Sequence, residues 1–180
     1  VPGFYDVYYA NGGTVSNWPI NNSRRVIARA DLNSPQTLVI DIKTVDITFN
    51  VTLNGQPVTT ANTNDSDEGI FILVDPVTGE RIQLPDTANG STMGYPATRR
   101  LLPGTYDIFY ANGGTTTFWP INNNHVLIAA ADLGTSQSYN INVQTVDLTF
   151  DVTLNGQPVT AANTNDSDEG IFILEDPTTG

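Results

Sequence analysis

The sequence predicts an all-β protein built from β-sandwich beads of about 100 residues, and three observations carry that expectation. The chain repeats itself: Val1 to Gly79 aligns without a gap with Leu102 to Gly180, at a constant offset of about 101 residues and with about two-thirds of the positions identical. Apolar side chains alternate with polar ones along several short runs, the pattern of strands buried on one face. Charged residues make up only 14% of the 180, whereas Asn, Thr, Gly and Pro are abundant, a mixture that suits strands and turns better than helices.

The repetition sets the organisation. NVTLNGQPVTTANTNDSDEGIFIL returns almost unchanged as DVTLNGQPVTAANTNDSDEGIFIL, and YANGG and WPINN return as well. A period of this length exceeds that of solenoid repeats, which bury their cores only by stacking, and fits independently folded beads in a row. Leu38, Ile40 and Ile42 alternate on even numbers, while Val45, Ile47, Phe49, Val51 and Leu53 alternate on odd ones. The slip falls at Lys43 and Thr44, and it recurs at Gln144 and Thr145. A one-residue slip reverses the buried face. A bulge inside one long strand gives the same slip, but a boundary between beads is the preferred reading. It places the second half of one bead in residues 1–43, a complete bead in 44–144 and the first half of another in 145–180. Without a Gly or Pro linker at the boundary, neighbouring beads are expected to join stiffly, as a rod.

Within the complete bead, strand one is expected over Val45 to Leu53, closed by the turn Asn54-Gly55-Gln56-Pro57. Ile70 to Val74 and Arg81 to Leu84 flank the hairpin Asp75 to Gly79, and Arg99 to Leu102 precedes the Pro103-Gly104 turn. Thr105 to Ala111, His125 to Ala130 and Ser138 to Val143 complete about seven strands, the number of a sandwich. The terminal halves together lack counterparts of Glu80 through Leu101. They either complete neighbouring molecules head to tail by strand addition or are an arbitrary window of a longer array.

LNGQPV, then GIFILVDPVTGE, then LLPGTYDIFY resemble the prealbumin-like, Ig-like sandwich repeats of the carboxypeptidase regulatory-domain and Cna-B-type families, in which an x-NG-x-P turn, a D-x-x-TG hairpin and a PGTY strand follow in this order. The resemblance covers the bead. It implies a stalk-forming or structural role in a secreted or cell-surface bacterial protein and no catalytic site. Cna-B-type domains often carry a Lys to Asn isopeptide bond. Lys43 is the sole lysine of this chain and its counterpart is Gln144, so no such bond can recur in every bead.

The formal charge of −12 repels phosphate backbones and anionic membrane surfaces, which excludes nucleic acid as a partner. With no cysteine there is neither a disulfide scaffold nor a thiolate metal site. No apolar run of about 18 residues is present and the first residue is Val1, so neither a membrane span nor a signal peptide is expected.

Candidate chemistry is sparse. Asn62 to Gly69, repeated as Asn163 to Gly170, offers hard oxygens from Asp65, Asp67 and Glu68 and from Asp166, Asp168 and Glu169, a possible calcium set. The EF-hand spacing is not met and an ordinary solvated loop is the competing reading. Trp18 and Trp119, each in W-P-I-N-N and near tyrosines, could stack on a sugar ring, although Trp and Tyr in small sandwiches usually bury their bulk. His125 is opposed by Arg24 in the other copy, and neither G-x-S-x-G nor a phosphate-cradling Gly loop is present, so an enzyme is not expected. Asn21, Asn50, Asn64, Asn89 and Asn165 head Asn-x-Ser/Thr triplets. The expectation is therefore a non-enzymatic structural repeat of an extracellular stalk, adhesin or filament. Its partners would be neighbouring repeats or identical subunits in a head-to-tail assembly. The alternative is a calcium-dependent or glycan-binding module.

Overall fold

The computed structural model describes residues 1–12, 17–58, 69–84, 95–114, 118–159, 173–175 and 177. Among these every regular element is a strand. The chain divides into two compact units, Val1–Thr145 and Val146–Gly180.

In the first unit the core is built where the alternation is strictest. Val45, Ile47, Phe49 and Val51 lie on one face of β3 (Val45–Leu53), and all four are buried. β3 pairs in parallel with β10 (Gln137–Val143), from Gln137 opposite Ile47 to Val143 opposite Leu53. On its other side it pairs antiparallel with β7 (Ala97–Leu101) and with the short β4 (Gln56–Pro57). A second sheet runs β6 (Arg81–Gln83), β5 (Gly69–Val74), β8 (Thr105–Asn112), β9 (His125–Asp132), antiparallel throughout. Phe71 and Leu73 of β5 and Tyr106, Ile108 and Tyr110 of β8 join the residues of β3 and β10 in one apolar cluster. Two sheets therefore close on a common core in the layered manner of a β-sandwich, each large side chain contributing about 1.5–3 kcal/mol by leaving water.

Turn chemistry sets the strand ends. Asn54 and Gly55 both take positive φ, 51° and 78°, the pair that a two-residue hairpin turn requires and that Asn and Gly tolerate best. Gly69 lies flat under an indole ring: a Cβ there would stand 2.8 Å from Trp119, so the close approach of strand and ring needs glycine.

β1 (Phe4–Tyr9) and β2 (Arg24–Asp31) form a separate antiparallel hairpin in the same unit. Residues 32–44 that follow belong to no strand. The alternation of Leu38, Ile40 and Ile42 predicted a strand, as did that of Val146, Leu148 and Phe150; both predictions fail for one reason. A strand needs a hydrogen-bonding neighbour, and β10 and β3 supply one another's bonds in the complete sandwich, whereas these two runs have no such partner among the described residues. Lys43, Thr44 and Gln144 are exposed and outside strands, so each phase slip lies between elements and not in a bulge.

In the second unit, β11 (Thr153–Leu154) and β12 (Gln157–Pro158) form a minimal hairpin around Asn155 and Gly156, whose φ values of 52° and 78° copy those of Asn54 and Gly55.

Candidate functional site

Among the described residues three polar side chains are buried, Asn21, Asp75 and Glu80, and all three belong to one joint. Asn21 follows Trp18-Pro19-Ile20, and its side chain enters the end of the sandwich where β8 begins. Its amide nitrogen donates to Glu80 Oε2 at 3.1 Å and to the Tyr106 hydroxyl at 3.0 Å, while its amide oxygen accepts the N–H of Leu102 at 2.8 Å. Tyr106 in turn donates to the Leu102 carbonyl at 2.8 Å. Both amide protons and the amide oxygen are satisfied, the condition under which a buried Asn is stabilising rather than costly.

Charge is distributed with the same economy. Glu80 Oε1 accepts the backbone N–H groups of Asn22 and Ser23. Asp75 Oδ1 accepts the N–H groups of Val77 and Thr78, 2.8 and 3.1 Å away, an arrangement that shapes the turn after β5. Its Oδ2 pairs with the guanidinium of Arg24, which also lies over the Tyr106 ring at 5.5 Å. Removing one partner of such a pair costs roughly 3–5 kcal/mol when both are buried; Arg24 is partly exposed, so the lower end applies here.

Backbone contacts widen the joint. The N–H of Ile20 donates to the Arg100 carbonyl at 3.0 Å, on the edge of β7 away from β3. Arg100 donates from Nη1 to the Asn17 carbonyl at 3.2 Å and grips Asp46 through Nε and Nη2 at 2.8 and 2.9 Å. That bidentate grip holds the Asp46 carboxyl below the usual aspartate range and raises Arg100. Residues 17–24 are thus fastened to the sandwich by backbone, amide and ion pair together. At the far end of β3, Asn54 and Thr145 bond reciprocally, the Asn54 amide donating to Thr145 Oγ1 at 2.8 Å and its oxygen accepting the Thr145 N–H at 2.9 Å. Residues 17–24 and Thr145 are thus both pinned to the sandwich.

The contacts of this joint are structural: they fasten one segment of the chain to another. Sequence reasoning missed it, because Asn21, Asp75, Glu80 and Leu102 are far apart in the chain and alternation reports only apolar faces. The recurrence of Trp18-Pro19-Ile20-Asn21-Asn22 as Trp119-Pro120-Ile121-Asn122-Asn123 was the available signal.

The residues singled out from sequence fall elsewhere. Asp65, Asp67, Glu68, Asp166, Asp168 and Glu169 lie outside the described residues. Trp119 is only 3% exposed, stacked on Tyr110 at 6.3 Å and edge-on to Phe71, so as a sugar platform it is corrected to a core side chain. Trp18 is 52% exposed and stacks on Tyr9 at 6.2 Å. The two do not come together. Asn21, a triplet asparagine, has its amide committed inside the joint and is closed to glycosylation. His125 lines an open depression of about 290 Å³ with Tyr110, Asn122 and Gln144. Among the described residues no helix is long and apolar enough to cross a membrane. No family model matches the chain, and no curated protein or solved structure matches it.

Proposed function

We propose that the protein is a non-enzymatic structural module of an extracellular stalk, adhesin or filament, in which successive sandwich beads are coupled by a buried polar joint and not by a flexible linker. The single observation that supports this reading is the docking of residues 17–24, which the phase slip assigns to the half-bead 1–43, onto Asp75, Glu80, Leu102 and Tyr106, which it assigns to the bead 44–144. A loose string would not bury Asn21 and neutralise Glu80 and Asp75 at the junction, because each buried polar group left unpaired costs about 1–3 kcal/mol. The motif order LNGQPV, DPVTG and PGTY adds the resemblance to stalk-forming sandwich repeats. A charge of −12 keeps parallel rods apart and soluble. Glycan recognition gains nothing from a tryptophan pair of which one member is in the core.

Electron microscopy of the native assembly tests the reading. Straight strings of beads at a uniform spacing of a few nanometres are expected, and Asn21→Ala combined with Arg24→Ala is expected to make them bend at the junctions. Unmodified strings that already bend freely would overturn the proposal.

A further inference from the structure

Two exposed apolar runs, residues 36–42 and 148–154, are the repeat counterparts of the paired strands β10 and β3. In the sandwich, β10 lies parallel to β3, and the outward side chains of that pair touch: Asn50 donates to Asn140 at 2.9 Å and Thr52 to Asn142 at 2.9 Å. Shifted by the repeat, the same register would set Gln36 opposite Leu148, Leu38 opposite Phe150, Ile40 opposite Val152 and Ile42 opposite Leu154. All these residues are described, and Leu38, Ile40, Leu148, Phe150 and Val152 are exposed. Phe150 is 63% exposed, whereas its counterpart Phe49 is fully buried.

We propose that residues 36–42 of one molecule add in parallel to residues 148–154 of a second copy of this chain, closing a hybrid sandwich and joining molecules head to tail; this deepens the structural-module reading and takes its purpose from it. One half is already shaped. The β1–β2 hairpin holds the register of β8–β9, so Tyr5, Val7 and Tyr9 stand where Tyr106, Ile108 and Tyr110 face the core. Leu174 would meet Val7 as Leu73 meets Ile108. The same register brings Glu175 beside Asp6, whose carboxylate is already held by Arg25 and by the Arg29 N–H.

Closure between two molecules is favoured over closure within one by the pinned ends. Residues 36–42 lead into β3 at Val45 and residues 148–154 follow Thr145, which Asn54 holds just past the other end of β3, so the two segments depart from opposite ends of a strand about 30 Å long at ~3.4 Å per residue. β6 and β7 come from residues that the repetition does not span, and each has one neighbour in its sheet.

Cysteine trapping tests the register, since the chain has no cysteine of its own. Val39→Cys with Asp151→Cys places thiols where Asn140 and Asn50 touch. Mild oxidation of the full chain is expected to give a ladder of covalent dimers, trimers and longer chains that collapses on reduction. Adding Phe150→Asp is expected to cut the ladder by roughly tenfold, because a charge at a position buried on closure opposes it, while the thermal melt of the sandwich stays unchanged. A cross-linked monomer, absence of cross-linking at high protein concentration, or an equal ladder from the off-register pair Val39→Cys with Asp147→Cys would each overturn the proposal. Any of these outcomes leaves the straightness of native strings, and so the module reading, untouched.

Discussion

The hairpins β1–β2 and β8–β9 have the same backbone and opposite surroundings. Phe4 opposite Asp31, Tyr5 opposite Ala30 and Val7 opposite Ile27 repeat as Thr105 opposite Asp132, Tyr106 opposite Ala131 and Ile108 opposite Ile128, with irregularities at the same steps. Arg29 and Ala130 share a positive φ of 54° and 55°, and their N–H groups donate to Asp6 and Asp107 at 2.7 and 2.8 Å. Tyr9 and Tyr110 donate to the carbonyls of Pro19 and Pro120 at 2.8 and 2.9 Å. Yet Tyr5 is 41% exposed where Tyr106 is wholly buried. Local hydrogen bonds fix the hairpin; burial depends on an opposing sheet, which among the described residues only the second hairpin has. The loops reverse the order: Asn21 is buried in the joint, while Asn122 of the buried hairpin is exposed.

The largest contrast to test is between the tryptophans. Trp119→Ala empties a site enclosed by Tyr110 and Phe71 and is expected to cost about 3–5 kcal/mol in a urea melt of the chain. Trp18→Ala removes a mostly exposed ring and is expected to stay within about 0.5 kcal/mol. Equal costs would mean that the first hairpin is packed in solution as the second is.

The asparagines should answer in the opposite sense. Asn21→Ala leaves Glu80 and Tyr106 short of a donor, a loss of about 1–2 kcal/mol. The cost is capped by the docking energy of residues 17–24, since the segment can lift off and let water reach Glu80. Asn122→Ala is expected to change nothing measurable. Amide exchange at Ile20 and Leu102 separates undocking from general unfolding: both should quicken in Asn21→Ala while Ile47 and Phe71 stay protected.

Most of the sandwich was legible because its strands bury one face. The alternation of Val45 to Leu53 gave β3 to the residue, and Ile70–Val74, Thr105–Ala111 and Ser138–Val143 each missed β5, β8 and β10 by one. β7 was displaced by two residues at its start, since Ala97 is a weak apolar marker, and Gln56–Pro57 was read as turn where it forms a two-residue strand. β9 runs two residues past the expected Ala130, whose positive φ marks the irregularity that hides its period. Alternation also called strands at Leu38–Ile42 and Val146–Phe150, which shows its limit: it reports a face able to be buried, and pairing decides whether it is. The joint was illegible because hydrogen-bonded polar burial leaves no periodic trace, and the contact is made by Asn21 rather than by the aromatic Trp18 that precedes it in the same WPINN stretch.

The smallest effect probes whether the exposed hairpin stands on local bonds alone. Asp6 accepts the Arg29 N–H and pairs with Arg25 at 3.2 Å, and these bonds, the backbone one first, hold its carboxyl below the usual aspartate value. A carboxyl whose folded pKa is depressed stabilises the fold above its unfolded pKa of about 4, and that stabilisation is lost as pH falls through the lower folded value. The Arg29 amide resonance is therefore expected to stay constant from neutral pH to about 4 and to move only below it, with a midpoint under that of a free aspartate. Asp6→Asn should abolish the movement. Arg25→Ala should shift the midpoint only partly back toward the ordinary range, because the backbone donor remains. A midpoint at or above the free-aspartate value in the unmodified chain would mean that β1–β2 is not closed in water. The hairpin geometry would then depend on the opposing sheet after all, and the comparison between the two hairpins would fail at its first step.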